Sequence, residues 1–233
     1  MVATAESLVG IGVYSPNEAA RLLKTPVRTL RRWVDGYTYR VRAGEQYGAP
    51  VISPQLPHPD ETEILTFLDL MELYFIARFR REGVDLRTIR DAAERLAERY
   101  ATDHPFATEQ FFTDGRRIFA DWLEKKTGDR LTEELAKRQL VFDQFARPFF
   151  REVDFDFERR IRRYWPLGKR ARVVLDPTRH FGKPIDSKTG VPTWALYQAV
   201  DGGESEERVA AWYDVPVAAV ARAVEYEGSL IPA

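Results

Sequence analysis

The sequence contains no cysteine, and only three of its 233 residues are histidine: His58, His104 and His180. The lack of cysteine excludes disulfides, thiolate zinc centres and cysteine nucleophiles, and it fits a reducing compartment. The histidines fall in separate segments with no pair at metal-ligand spacing, so no metal site is expected. Asp176, His180 and Asp186 could converge in a loop-rich stretch, but Asp-Pro and Gly-Lys-Pro are ordinary turn chemistry. There is no phosphate-cradling P-loop, no dinucleotide fingerprint and no Gly-x-Ser-x-Gly nucleophile turn. Long apolar runs are missing too: none approaches the roughly 18–20 residues that span a bilayer, and no basic-flanked apolar leader opens the chain. These absences point to a cytoplasmic protein that is not an enzyme and needs no cofactor. The composition, 44% hydrophobic and 30% charged, is that of a globular chain with room for one large domain or two small ones.

What is present is charge in one place. The net charge is −1, yet between residues 14 and 42 the basic residues are Arg21, Lys24, Arg28, Arg31, Arg32, Arg40 and Arg42, against only Glu18 and Asp35. That concentration coincides with a pattern. Ser15 precedes Pro16 as a cap and first-turn pair, and Ala19, Ala20, Leu22 and Leu23 give a short helix one apolar face. Lys24-Thr25-Pro26 breaks it, with Thr25 and Pro26 expected to cap and start a second helix. There Val27, Leu30, Trp33 and Val34 share a face, while Arg28, Thr29, Arg31 and Arg32 occupy the other. Most basic helix faces are merely solvated, but two helices with a short turn and a cationic front also form the layout that reads DNA. Residues 37–47 then alternate around Gly44 as a hairpin, a wing that would put Arg40 and Arg42 on one strand face.

Prolines 50, 54, 57 and 59 mark an extended connection. A helix is predicted over 64–82, with Leu65, Leu68, Leu73 and Ile76 inside, Asp69 and Glu72 outside, and Gly83 as its stop. Asp85 caps another helix to about residue 100. Thr29-Leu30-Arg31, the wing ending at Tyr47 and the run TFLDLMELYFIARFRREGVDLRTIRDAAERL together resemble the winged-helix module of the MerR family over about residues 14–100. Neither a long dimerising heptad helix nor sensing cysteines follow. The resemblance implies DNA contacts at Ser15, Lys24, Thr25, Arg28, Thr29, Arg31, Arg32, Arg40, Arg42 and Tyr47, and a homodimer on a palindromic or repeated site.

Further along, residues 111–119 suggest a hairpin turning at Asp114-Gly115, 131–145 a helix, and Val153, Phe155 and Phe157 a strand buried on one face, paired with 161–165. Arg159, Arg160, Arg162 and Arg163 form a second cationic cluster, either acid-paired and solvated or a second phosphate or partner contact. Trp122, Trp165, Trp194 and Trp212 are expected as core or interface anchors. After a boundary near 166, a strand at 173–175 precedes three helices, with Ser205 capping the second. Ala210, Trp212, Val217, Val220, Ala221 and Val224 are expected to form their shared core.

This last stretch resembles a small family of trihelical domains of unknown function found in antitoxins of the VapB kind. The similarity lies in Asp176-Pro177, Gly182-Lys183-Pro184, Val191-Pro192, the glycine-led start at Glu206-Glu207, Ala210, Tyr213 and Tyr226. Together the two resemblances imply a DNA-binding antitoxin that neutralises a PIN-like ribonuclease and represses its own operon. The alternatives are a MerR-like regulator with no toxin, or an interaction module that binds no DNA. Residues 201–227 hold seven acids against Arg208 and Arg222, which disfavours DNA there and favours a protein partner. The residues expected at that partner are Glu206, Glu207, Trp212, Tyr213, Glu225 and Tyr226. The expected fold is mainly α with short β elements, an α+β chain in three parts. These are a winged helix-turn-helix at 1–100, a mixed central region at 101–165, and a helix-turn-helix-like three-helix domain at 166–233.

Overall fold

The computed structural model describes residues 10–42, 44–56, 64–113 and 148–231. Its helices dominate, accompanied by two small antiparallel sheets, so the α+β expectation holds. The chain opens with α1 (Pro16–Leu22) and α2 (Val27–Val34). The hairpin β1 (Tyr37–Val41) and β2 (Gly44–Gly48) follows, in register from Tyr37 opposite Gly48 to Val41 opposite Gly44. Then come α3 (Phe67–Arg81) and α4 (Leu86–Tyr100).

Local chemistry explains most of these boundaries. Ser15 and Glu18 form a reciprocal capping box at α1, and Asp85 accepts the Thr88 amide at α4. The expected helix over 64–82 begins later, at Phe67, because Thr66 and Asp69 form a second capping box that fixes the start. Asp69 and Glu72, expected outside, are both buried. Asp69 is consumed by the cap and by the Gln55 amide, while Glu72 accepts the Ala107 amide at 2.9 Å. Burial pushes the Glu72 carboxyl well above its usual range, against the backbone hydrogen bonds from Ala107 and Phe106. This carboxyl clips the 3-10 turn Pro105–Ala107 onto α3.

One core runs from Tyr14 through the helices of the head to Leu175. Phe75 sits at its middle, edge-on to Phe111 at 5.2 Å and to Phe149 at 4.8 Å. Phe111 itself lies in a helical stretch, 109–113, where a strand was expected. The rest of that hairpin, the helix over 131–145, His58 and Trp122 lie outside the described residues.

The second sheet is ordered β3 (Val153–Phe155), β4 (Ile161–Tyr164), β5 (Val173–Leu175), β6 (Pro184–Asp186), every pair antiparallel. A bulge between Asp154 and Phe155 ends the β3 alternation, so Phe157 is fully exposed in the turn rather than buried. Strand β6 begins within the Gly-Lys-Pro turn signal at 182–184, where no strand is expected. Tyr164 pairs with Leu175, so the sheet crosses the boundary expected near 166.

The chain ends in α5 (Thr193–Asp201), α6 (Glu206–Tyr213) and α7 (Val217–Ser229) around a small core of Leu196, Val209, Ala210, Val215, Ala219, Val220 and Ala223. Trp212 and Val217, expected inside, are exposed, and so is Trp194. The α6–α7 corner repeats the α1–α2 corner. Lys24 (φ 48) and Asp214 (φ 51) hold the left-handed position, and Pro26 and Pro216 are the N-caps. Thr25 N–H donates to the Ala20 carbonyl at 2.9 Å, as Val215 N–H does to Ala210 at 3.0 Å. Ala20, Leu30 and Trp33 are buried in the first pair as Ala210, Val220 and Ala223 are in the second.

The last helices are stitched to the head. Tyr14 Oη donates to the Gly182 carbonyl at 2.6 Å, and Val13 N–H to the Phe181 carbonyl at 2.9 Å. A side chain at Gly182 would collide with the Tyr14 hydroxyl at 2.3 Å, and its φ of +80° also requires glycine. Arg21 meets the buried carboxylate of Glu227 at 2.6 Å, and Glu227 also accepts from Thr193 Oγ1.

Candidate nucleic-acid interface

The α1–α2 corner is rigid for definable reasons. Arg81 of α3 donates to the Leu23 carbonyl at 2.6 Å and the Lys24 carbonyl at 3.2 Å, bracing the turn from behind. Thr25 does not cap α2: its hydroxyl donates to the Leu23 carbonyl, and Pro26 occupies the cap position without a side-chain hydrogen bond. The α2 amides at that end are therefore without a side-chain cap at the face expected to meet phosphate. Leu30, Trp33 and Val34 bury one side of α2, leaving Arg28, Arg31 and Arg32 exposed and Thr29 half-buried.

The wing is fixed by three contacts. Tyr47 Oη donates to the Asp35 carbonyl at 2.9 Å, and Gly36 (φ +76) lies so close that a Cβ there would meet that hydroxyl at 2.5 Å. The Arg32 guanidinium lies over the Tyr37 ring at 3.8 Å, which holds it at the seam between α2 and β1. Arg90 of α4 donates to the carbonyls of Ala49 and Pro50 where the wing re-enters the body. Both wing faces are largely exposed.

The ten residues expected at DNA thus divide. Lys24, Arg28 and Arg42 are exposed cations with no acidic partner among the described residues. Arg31 and Arg32 are exposed, Arg32 pinned by its ring contact. Arg40 is paired with Glu45 across the hairpin at 3.1 Å, both well exposed. Arg42 sits in the wing turn, past the end of β1, and so does not share a strand face with Arg40. Tyr47 offers its ring, 63% exposed, because its hydroxyl is engaged. Ser15 is exposed at the head of α1 but its hydroxyl is used in the capping box. Arg81 and Arg90, which hold the corner and the wing in place, carry no sequence signal because their acceptors are backbone carbonyls far along the chain.

The other cationic cluster is largely neutralised. Arg159 faces Glu109 at 3.8 Å, Arg160 pairs with Asp156 and Glu158, and Arg163 meets Asp176 at 2.6 Å. Burial alone would raise the Asp176 carboxyl, but hydrogen bonds from Thr178 and Arg163 outweigh it and hold it below the usual range. Asp176 and Asp186 are committed to separate partners, and no metal-holding group occurs among the described residues.

On the C-terminal helices Glu207, Trp212, Tyr213 and Glu225 are exposed and Glu206 half-exposed. Arg208 lies 5.4 Å from the Trp212 ring. Tyr226 is a correction: it is 3% exposed, packed with Val173 and Leu230 beside Leu22, and not available to a partner.

Residues 12–93 match a family model described as "Putative DNA-binding HTH domain", and residues 173–226 match one described as "Protein of unknown function (DUF433)". A Mycobacterium tuberculosis protein named "Putative antitoxin VapB45" is 30% identical over 218 residues, spanning 88% of this chain and 89% of its own. A second protein of that organism, "Uncharacterized protein Rv2308", is 26% identical over 94% of this chain and 92% of its own. The crystal structure of Rv2018, also from Mycobacterium tuberculosis, superposes with a TM-score of 0.71 at 27% identity, covering 91% of this chain and 96% of that one. No helix among the described residues is long and apolar enough to cross a membrane.

Proposed function

We propose that this chain, which belongs to the family of the protein named "Putative antitoxin VapB45", is itself a DNA-binding antitoxin of a type II toxin–antitoxin system. The observation that carries the reading is that the likeness runs through head and C-terminal helices together, not through one module alone. The head binds operator DNA in the manner of a MerR-like winged helix and represses its own operon, acting as a cytoplasmic homodimer that places two heads on a repeated site. Arg28, Thr29, Arg31 and Arg32 face the major groove or its bordering phosphates. Lys24, Arg42 and the ring of Tyr47 contact backbone at either side, and Arg40 reaches it by releasing Glu45. The C-terminal helices supply an acidic, aromatic surface of Glu206, Glu207, Trp212, Tyr213 and Glu225. That surface holds a basic face of a PIN-like ribonuclease and blocks its action.

Electrostatics support this division of labour. DNA affinity comes largely from cations that displace condensed counterions; they are in excess in the head and outnumbered by acids in residues 201–227. The test is co-expression with the adjacent gene. Co-purification of a small ribonuclease that loses activity in the complex, with a salt-dependent shift of the chain's own upstream DNA, is the expected result. A chain that shifts that DNA yet neither captures nor inhibits the neighbouring product would be a regulator without a toxin.

A further inference from the structure

Beyond the head and the largely neutralised arginines at 159–163, the chain carries a third concentration of positive charge. Between residues 166 and 190 there are six basic residues, Lys169, Arg170, Arg172, Arg179, Lys183 and Lys188, and two acids, Asp176 and Asp186. Both acids are spent elsewhere, Asp176 on Arg163 and Asp186 on Arg222. Lys169 is held by Asp154, Lys183 by Glu18, and Arg179 donates to the Ser187 carbonyl at 2.9 Å. Arg170, Arg172 and Lys188 remain. All three are exposed, and among the described residues none has an acidic partner.

The fold gathers these three. Residues Lys169–Ala171 make a single 3-10 turn between Gly168 (φ 76) and Arg172 (φ 61). A left-handed arginine is a conformation that side chains rarely adopt. It is held here by the Ser187 amide, which donates to the Arg172 carbonyl at 2.7 Å and brings Lys188 alongside. The turn also starts at the head. Leu167 packs against the same Val173, Tyr226 and Leu230 group as Leu22 of α1. Pro166 and Leu167 line one cavity of about 190 Å³ with Leu23 and Lys24. Arg172 is five residues beyond Leu167, at most about 18 Å of chain, against roughly 34 Å for one turn of duplex.

We propose that Arg170, Arg172 and Lys188 form a second phosphate-binding surface that grips double-stranded DNA beyond the segment read by α2. The proposal rests on the reading that the head binds DNA, and it lengthens that footprint. Nucleic acid is the partner the chemistry fits. The turn itself, residues 169–172, presents charge without an exposed aromatic or large aliphatic side chain, and Phe181 is the one exposed aromatic of residues 166–190, whereas protein interfaces centre on clusters of such anchors. Lys24 at the α1–α2 corner is an exposed cation that lines the same cavity as Pro166 and Leu167, the residues that lead into the turn.

The experiment uses the full chain and two duplexes. One is 60 base pairs of DNA from upstream of its own gene, and the other is only the core that the head protects in a hydroxyl-radical footprint. The triple variant Arg170→Gln/Arg172→Asn/Lys188→Gln should lose at least about tenfold in affinity for the long duplex. Its salt slope should flatten by about 2 to 3, near 0.9 for each phosphate released. Its affinity for the core duplex should stay within about twofold. Arg170→Lys/Arg172→Lys should keep wild-type binding to both, since a phosphate requires charge rather than geometry, and unchanged melting of each variant excludes misfolding. Arg28→Ala should weaken both duplexes alike. If Arg28→Ala weakens both duplexes while the triple variant binds the long one with wild-type affinity and slope, the second surface is wrong and the head's role stands. A wild-type chain that shifts neither duplex would overturn both. Loss of a co-purified protein from the triple variant, with DNA binding unchanged, would give the surface to that protein instead.

Discussion

Two corners of this molecule share a backbone and differ in almost every exposed side chain. In the first, a left-handed Lys24 is followed by Thr25 and the cap Pro26. In the second, Asp214 is followed by Val215 and Pro216, with the same pattern of amide-to-carbonyl bonds and the same buried positions. Where the first helix pair exposes Arg28 and Arg31, the second has Ala218 and Ala221, and Arg222, which matches Arg32, is turned inward to Asp186. The lesson is that a helix-turn-helix backbone is neutral about its ligand. Side-chain charge decides whether a corner can approach a polyanion, and packing decides which corner is free to do so.

The sharpest way to break the comparison is at the first corner. Replacing Arg28 and Arg32 with alanine together should weaken operator binding by about 100-fold or more, each base-reading arginine being worth about 1–3 kcal/mol. Titration of labelled duplex would measure it, and unchanged binding would remove α2 from the interface. Next in size is the tie between the corners. Glu227→Ala leaves Arg21 without its carboxylate and the Thr193 hydroxyl with only the Pro184 carbonyl, at 3.2 Å. It should cost about 2 kcal/mol in chemical denaturation, less than for a fully buried pair because Arg21 is half-exposed.

At the second corner Trp212→Ala should leave stability within about 0.5 kcal/mol, since the ring is exposed. It should nevertheless cost about 1–2 kcal/mol of partner affinity by calorimetry. An unaffected complex would move the partner surface away from α6. Smaller still is the strain the two turns share. Lys24→Gly and Asp214→Gly should each stabilise the fold, by up to about 1 kcal/mol, with lysine the larger gain because aspartate tolerates left-handed backbone better. Only Lys24→Gly should weaken DNA binding, and equal effects from both would deny the corners their different roles.

The mildest prediction is a pH dependence of opposite sign in the two regions. Burial works against the Asp186 carboxylate, but Thr189 and Arg222 hold it below the usual range. Its contribution is complete above the unfolded value near 4 and fades as pH falls toward the lower folded value. Glu72 is shifted upward by burial, so its contribution is complete in acid and fades as pH rises above the ordinary carboxyl value. Acid should therefore loosen α7 before the head. Hydrogen exchange of α3 and α7 amides between pH 5 and about 3 would show this order or refute it.

Much of this could be seen in the chain itself. Ser15, Asp85 and Ser205 announce helix starts because a cap is a contact between near neighbours, and the hairpin at Gly44 and the exposed arginines of α2 follow from local patterning. What escaped was set by distant partners. Glu72 looks like a solvent residue until the Ala107 amide arrives to occupy it, and Tyr226 looks like a surface aromatic until Val173 and Leu230 close around it. Strand β6 is too short to show a period and exists because β5 pairs with it. Hydrophobicity alone puts Trp212 and Val217 inside, whereas Leu196, Val209, Ala219 and Ala223 fill that core.

The bond between Arg21 and Glu227 also has a place in time. The two residues are 206 positions apart, and a ribosome adding about 5–20 residues per second needs about 10–40 s to travel between them. Throughout that interval the first helix of the head has emerged without its acceptor, and Tyr14 waits nearly as long for Gly182. The first helix of the head is made well before the carboxylate that completes its contacts. A nascent or truncated chain that lacks α7 therefore carries an incomplete head, and only a chain translated through α7 presents the corner in its assembled form.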